Sequence, residues 1–188
     1  MIRRLLWILT LMLPALPCSS AWADEYSDTI GIFKAAGESG EFFNSSYGYA
    51  VFPTVGKGGI ILGGAYGSGR VYEQGKVIGD AKMTQVSVGF QLGGQAYSEI
   101  IFFQDQRALK EFTSGSFEFG ADASVVAITA AANASASTTG ASAGASGGKR
   151  DATTVGKYNK GMASFTVAKG GLMYQAAVAG QKFSFTHR

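Results

Sequence analysis

The chain is poor in the side chains that most active-site chemistry relies on. Among 188 residues there is one histidine, the penultimate His187, and one cysteine, Cys18. A single histidine excludes multi-histidine metal sites and would leave any histidine base at the chain terminus. A single cysteine excludes an intramolecular disulfide and a Cys-rich zinc site. Charged residues make up only 15% of the chain and the formal net charge is +3, against a typical charged fraction of about 25%. Such a sparse, nearly balanced charge gives no support for a nucleic-acid partner, which needs a clustered basic surface. What is abundant is glycine: 27 residues, about twice the usual share of roughly 7%. The hydrophobic fraction of 46% is ordinary. These proportions imply one globular domain with a real core, not a disordered or collagen-like chain.

The N-terminus reads as an export signal. Arg3 and Arg4 precede a run from Leu5 to Leu13 that is apolar except for Thr10, and Pro14 and Pro17 follow. Ala21-Trp22-Ala23 places small residues where a signal peptidase reads, so residues 1–23 are expected to be a signal peptide cleaved after Ala23. The apolar run covers less than half of the roughly 20 residues needed to span a bilayer, which disfavours an uncleaved anchor. Cys18 raises a lipoprotein alternative, but Pro17 and Ala15 are poor neighbours for lipidation. The expected location is therefore the periplasm or another secreted compartment, peripheral to a membrane if attached at all. Removing the signal takes two arginines and the only cysteine with it.

The remaining chain, 24–188, is expected to form a single domain of four zones. Residues 25–46 suggest one helix or two short ones, capped at Asp24 or Ser27, with Ile30, Phe33 and Lys34 at helical spacing and Gly37 and Gly40 as interruptions. From Tyr47 to Phe103 the period changes to two. Tyr49 to Phe52, ended by Pro53, Ile60 to Leu62, and Ser98 to Phe103 read as strands. Val71-Tyr72 and Val77-Ile78 flank Glu73-Gln74-Gly75-Lys76 as in a hairpin. Val86, Val88, Phe90 and Leu92 alternate with Gln85, Ser87, Gly89 and Gln91, which predicts a half-buried strand with the valines on its apolar face.

Asp105 then caps a predicted helix from Gln106 to Thr113, with Leu109 and Phe112 inward. Phe117 and Phe119 alternate as strand. Every residue from 130 to 148 except Asn133 is Ala, Ser, Thr or Gly, which reads as a loop or as strands of small side chains. Met162 to Val167 and Leu172 to Val178 suggest two strands about Lys169-Gly170-Gly171, and Phe183 and Phe185 alternate at the end. The fold class expected is α+β, mainly β: an antiparallel, glycine-rich barrel or sandwich with an N-terminal helical segment and one short helix near 105–113.

No catalytic motif completes itself. Gly-Lys pairs are followed by Gly58, Val77, Arg150 and Tyr158, none supplying the hydroxyl of a phosphate loop. The glycines from Gly56 to Gly69 lead into Arg70-Val71-Tyr72, a strand, where a dinucleotide fingerprint requires a helix. Glu73, Asp80, Glu99 and Asp122 show no acid–base spacing, and Gly67-Ser68-Gly69 lacks the context of a nucleophile elbow. Gly59, Gly63 and Gly67 recur every fourth residue, as in packed membrane helices, but the stretch is too short and glycine-rich to span. An enzyme is not expected, nor a metal or cofactor.

Tyr47-Gly48-Tyr49-Ala50-Val51-Phe52-Pro53 is followed by Gly56-Lys57-Gly58-Gly59 and then by Gly63-Gly64-Ala65-Tyr66-Gly67-Ser68-Gly69-Arg70-Val71-Tyr72. Gly79-Asp80-Ala81, Ser87 to Gly94, Ile100 to Phe103, Lys160-Gly161-Met162 and Gly170 to Tyr174 continue the series. In order and spacing this resembles the SYLF domain over roughly residues 30–186. The resemblance implies binding and not catalysis: eukaryotic members bind phosphoinositide membranes with help from an amphipathic N-terminal helix, and some bind actin. Bacterial secreted members look like periplasmic lipid-binding proteins. The 130–148 stretch departs from the eukaryotic pattern, so contacts carried there do not transfer. The shared glycines shape backbone and are not carried over as ligands.

The expected function is thus a lipid- or membrane-surface-binding module. Ile30, Phe33, Phe42 and Phe43 are the candidate apolar contacts, and Lys34, Lys57, Arg70, Lys76 and Lys82 the candidate partners of anionic headgroups. The alternative is a structural or assembly protein of the envelope, recruiting a protein partner along the edges of its strands.

Overall fold

The computed structural model describes residues 20–59, 62–88, 95–120, 125–128, 157–169 and 180–188. Three helices open the chain: α1 (Ser20–Ala35), α2 (Gly37–Gly40) and α3 (Phe42–Ser45). Helix α1 begins ahead of Asp24 and Ser27, so neither is its cap, and it runs across the Ala23–Asp24 junction where cleavage is expected. The break falls at Ala36, whose extended backbone (ψ 120°) ends one helix and starts the next. Gly40 is needed there, because a Cβ would lie 2.7 Å from the Lys34 carbonyl oxygen. The Ser39 hydroxyl donates to the Phe33 carbonyl at 2.6 Å, satisfying a group freed at the α1 terminus.

Eight strands follow: β1 (Gly48–Gly59), β2 (Leu62–Glu73), β3 (Lys76–Val88), β4 (Gln95–Phe103), β5 (Ser116–Glu118), β6 (Val125–Ile128), β7 (Met162–Lys169) and β8 (Gln181–His187). Between β4 and β5 lies α4 (Gln106–Phe112). The strands form one sheet in the order β5-β8-β3-β2-β1-β4-β7-β6, antiparallel except for the β6–β7 pair. The fold is α+β and mainly β, as expected. It is not a barrel, however: among the described residues the sheet is open, with β5 and β6 at its two edges.

Local chemistry explains the joints. Gln74 (φ 47°) and Gly75 (φ 80°) both take positive φ, the requirement of a two-residue hairpin turn, and they join β2 to β3 at the predicted place. Asp105 accepts from the Ala108 amide at 2.8 Å and caps α4. Pro53 does not end β1. The strand continues through it because the register shifts there against both neighbours, so the missing N–H falls at a bulge. The stretches 60–61, 89–94, 130–148 and 170–179, which carry parts of the strand and loop expectations, lie outside the described residues.

Both faces of the sheet are packed. On the inner face Phe52, Met83, Tyr97, Ile101, Phe103 and Phe183 gather around Leu109 and Phe112 of α4. On the outer face α1–α3 cover β1, β4 and β7, and Phe33 and Phe42 meet Val51, Ile100, Phe102 and Phe165. Gly69 belongs to the inner packing, since a Cβ there would sit 2.5 Å from the Phe52 ring.

Candidate functional site

The N-terminal helices spend their apolar face inside the protein. Phe33 is fully buried, and Phe42 packs against Phe102, Tyr158 and Phe165 at ring distances of 5.5, 5.1 and 5.0 Å. Phe43 is half-buried against Tyr49 and Phe102, and Ile30 leans on the same cluster. Of that segment, Lys34 faces outward, its Nζ 5.4 Å from the Phe43 ring, and Ile32 is 42% exposed. Phe33 and Phe42 are therefore core residues and Ile30 and Phe43 are partly buried against that core, because the sheet offers them a complementary aromatic surface.

The candidate cations are dispersed. Arg70 is committed to the protein: its guanidinium lies 4.2 Å over the Tyr26 ring and 3.9 Å from Asp80, which also pairs with Arg188 at 2.8 Å. Lys57 is half-buried, and burial holds its amine below the ordinary lysine value. Lys76 is exposed at the start of β3. Lys82 is exposed on the outer face of β3 and makes no ion pair among the described residues.

Lys82 belongs to the part of the sheet that α1–α3 leave bare. Tyr66 on β2, Lys82, Thr84 and Val86 on β3, and Lys182 on β8 all point out of it and are exposed. Registers fix their neighbourhood: Tyr66 opposes Thr84, Thr84 opposes Lys182, and Gly64 opposes Val86. Lys182 keeps an exposed pair with Glu118 at 3.4 Å. The sequence did not single out Tyr66 and Lys182 as candidates, since nothing in their immediate neighbours distinguishes them from other exposed strand residues.

Val86 is the clear reversal. Alternation predicts the valines of this strand inside, yet Val86 is 78% exposed while Gln85 is 6% exposed. The reason lies across the sheet. Gln85 stands opposite Gln181, whose amide donates to Glu99 Oε2 at 3.1 Å and to the Tyr97 hydroxyl at 3.3 Å. The inner face is polar at this level, so the polar side of β3 turns toward it.

Next to Tyr66 a small groove of about 180 Å³ opens between α1 and the β1–β2 pair, lined by Glu25, Tyr26, Pro53, Thr54, Tyr66, Gly67 and Ser68. At its side Lys169 Nζ donates to Thr54 Oγ1 at 2.6 Å and lies 3.6 Å from Glu25. Thr54 Oγ1 in turn donates to Glu25 Oε1 at 2.8 Å, which ties α1 to β1. Among the described residues no cluster of His, Cys, Asp or Glu could hold a metal ion, and no helix is long and apolar enough to cross a membrane.

A family model described as Ysc84, Las17-binding protein actin regulator, matches residues 84–187, more than half of the chain. The chain belongs to the Ysc84 (SYLF) family. It is also similar to Beta cell expansion factor A of Aeromonas veronii, 28% identical over 143 residues, covering 75% of this chain and 46% of that protein. The chain thus spans about half the length of this curated relative. The family is one of binding modules and is not known as enzymatic.

Proposed function

We propose that this protein is a non-catalytic module that binds the anionic surface of a membrane, acting in the periplasm or cell envelope. The observation that supports it is the bare outer face of β2, β3 and β8, where Tyr66 is 53% exposed beside Lys82 and Lys182. A lysine near an anionic leaflet contributes about 1 kcal/mol, and a tyrosine favours the headgroup level. The N-terminal helical segment, which the sequence offered as the contact, packs Phe33 and Phe42 against the other half of the sheet. The family's description concerns an actin regulator. For a chain exported by the signal expected at residues 1–23, an actin partner would require delivery to a host.

The test is flotation of the purified protein with neutral and anionic liposomes at low and moderate salt. Binding to anionic vesicles that weakens with salt is the expected result. Absence of binding to any vesicle sinks the reading. A second reading, an envelope assembly protein, draws on β5 and β6, which are the edges of the sheet among the described residues and could pair with a partner strand. Light scattering that finds mixed or large assemblies without vesicle binding would favour it.

A further inference from the structure

The polarity of the sheet inverts along β3. Its inward residues run Ala81, Met83, Gln85, from apolar to polar, while its outward residues run Lys82, Thr84, Val86, from charged to apolar. The inversion is not confined to one strand. Lys57 opposes Ala65, Ala65 opposes Gln85, and Gln85 opposes Gln181, which makes one transverse row on the inner face of β1, β2, β3 and β8. Three of those four side chains are polar, and Gln181 continues the polarity to the fully buried Glu99. On the outer face, the adjoining positions on β2 and β3 are Tyr66 and Val86, 53% and 78% exposed.

In water such an arrangement is unfavourable twice over. A buried amide must find partners, and an exposed valine forgoes the stabilisation of burial. A slip of one residue in register would exchange the two faces of the strand. The Gln85–Gln181 pairing and the Gln181–Glu99 hydrogen bond prevent that slip by anchoring the polar face inside. Apolar outside and polar inside is the pattern of strands that meet lipid.

We propose that the Val86 end of the β2–β3 pair enters the bilayer surface, with Val86 in the acyl boundary, Tyr66 at the headgroup level and Lys82 on the anionic phosphates. The spacing fits: Val86 and Lys82 are four residues apart on one face, roughly 13 Å along a strand. That carries a side chain from the phosphates into the outermost acyl layer. Lys82 supplies the charge complementarity that selects a lipid surface over an apolar protein partner. The inference rests on the membrane-binding reading above and adds to it which surface inserts and how.

The experiment places an environment-sensitive fluorophore on a single cysteine in the full chain. With Cys18→Ser as background, Val86→Cys and Tyr66→Cys report the face, and Lys110→Cys on the exposed side of α4 serves as the control. Vesicles of phosphatidylglycerol and phosphatidylcholine are the probe, and unlabelled protein is floated in parallel. The expected result is a blue shift with a several-fold rise in emission at 86, a smaller one at 66, and none at 110. If the protein floats with vesicles while labels at both 86 and 66 remain in water, this inference falls and the membrane reading stands. If the protein does not float at all, both fall. A blue shift at 86 that needs only higher protein concentration, without vesicles, would assign the face to a second copy of the chain and overturn the lipid insertion.

Discussion

Gln181 on β8 donates a hydrogen bond from Nε2 to Oε2 of Glu99 on β4, at 3.1 Å, although β3, β2 and β1 lie between them in the sheet. Four strand spacings of about 4.8 Å would set the two strands roughly 19 Å apart if the sheet were flat. The contact therefore measures how strongly the open sheet curls. It also closes the inner face with polar groups where the rest of that face is aromatic and aliphatic.

Glu99 is fully buried, and desolvation pushes its carboxyl up to about 8 from 4.5, with the Gln181 hydrogen bond opposing part of the rise. Between those values the folded protein keeps a proton that the unfolded chain has released. Stability from this group is thus complete below the unfolded value and is lost as pH rises through the folded one, at roughly 1.4 kcal/mol per pH unit. The urea midpoint of the wild type should fall between about pH 5 and 8, and that of Glu99→Gln should fall much less. Parallel curves for the two proteins would show that the carboxyl is not held neutral.

Phe42 is 9% exposed within a ring of aromatic partners. Phe42→Ala should cost about 3 kcal/mol or more, the usual range for an aromatic removed from a core. Thermal unfolding distinguishes this from a surface role, for which the midpoint would hardly move.

Two glycines on neighbouring strands should respond in opposite ways. A Cβ at Gly69 would collide with the Phe52 ring at 2.5 Å, whereas one at Gly56 meets nothing within 4 Å. Gly69→Ala is expected to destabilise by about 1–3 kcal/mol. Gly56→Ala should leave stability within about 0.5 kcal/mol or raise it slightly. Denaturant midpoints of equal size for the two variants would contradict the packing around Phe52.

Lys82→Ala should weaken binding to anionic vesicles by about 1 kcal/mol, roughly fivefold, and reduce its salt dependence. The same change at Lys110, exposed on α4, should have little effect. Titration with sedimented vesicles checks both, and equal losses would point to diffuse attraction without a defined face.

Much of the architecture was legible because its signals are local. The Gln74-Gly75 turn needs only two positive-φ positions, and the Asp105 cap needs only an amide three residues away. Likewise the glycine and aromatic spacing that resembles the SYLF family is a linear pattern, and the family match bears it out. The site was far less legible. Phe33, Phe42 and Phe43 look like an amphipathic face from sequence, but whether such a face meets lipid or the protein's own sheet depends on what the sheet presents to it. Similarly, nothing near Arg70 in sequence announces its stacking on Tyr26 from α1, 4.2 Å away.

Read alone, the residues placed the β2–β3 hairpin turn, helix α4 with its cap and a helical N-terminal segment, and they indicated that β structure dominates and which family the pattern resembles. These follow from backbone preferences and from periodicity, which act over a handful of residues. Which side of a strand faces inward was set by contacts between strands far apart in sequence. A period of two marks two faces without labelling them, and at Gln85 and Val86 the label was set by Gln181 and Glu99, brought from distant strands by the curl of the sheet.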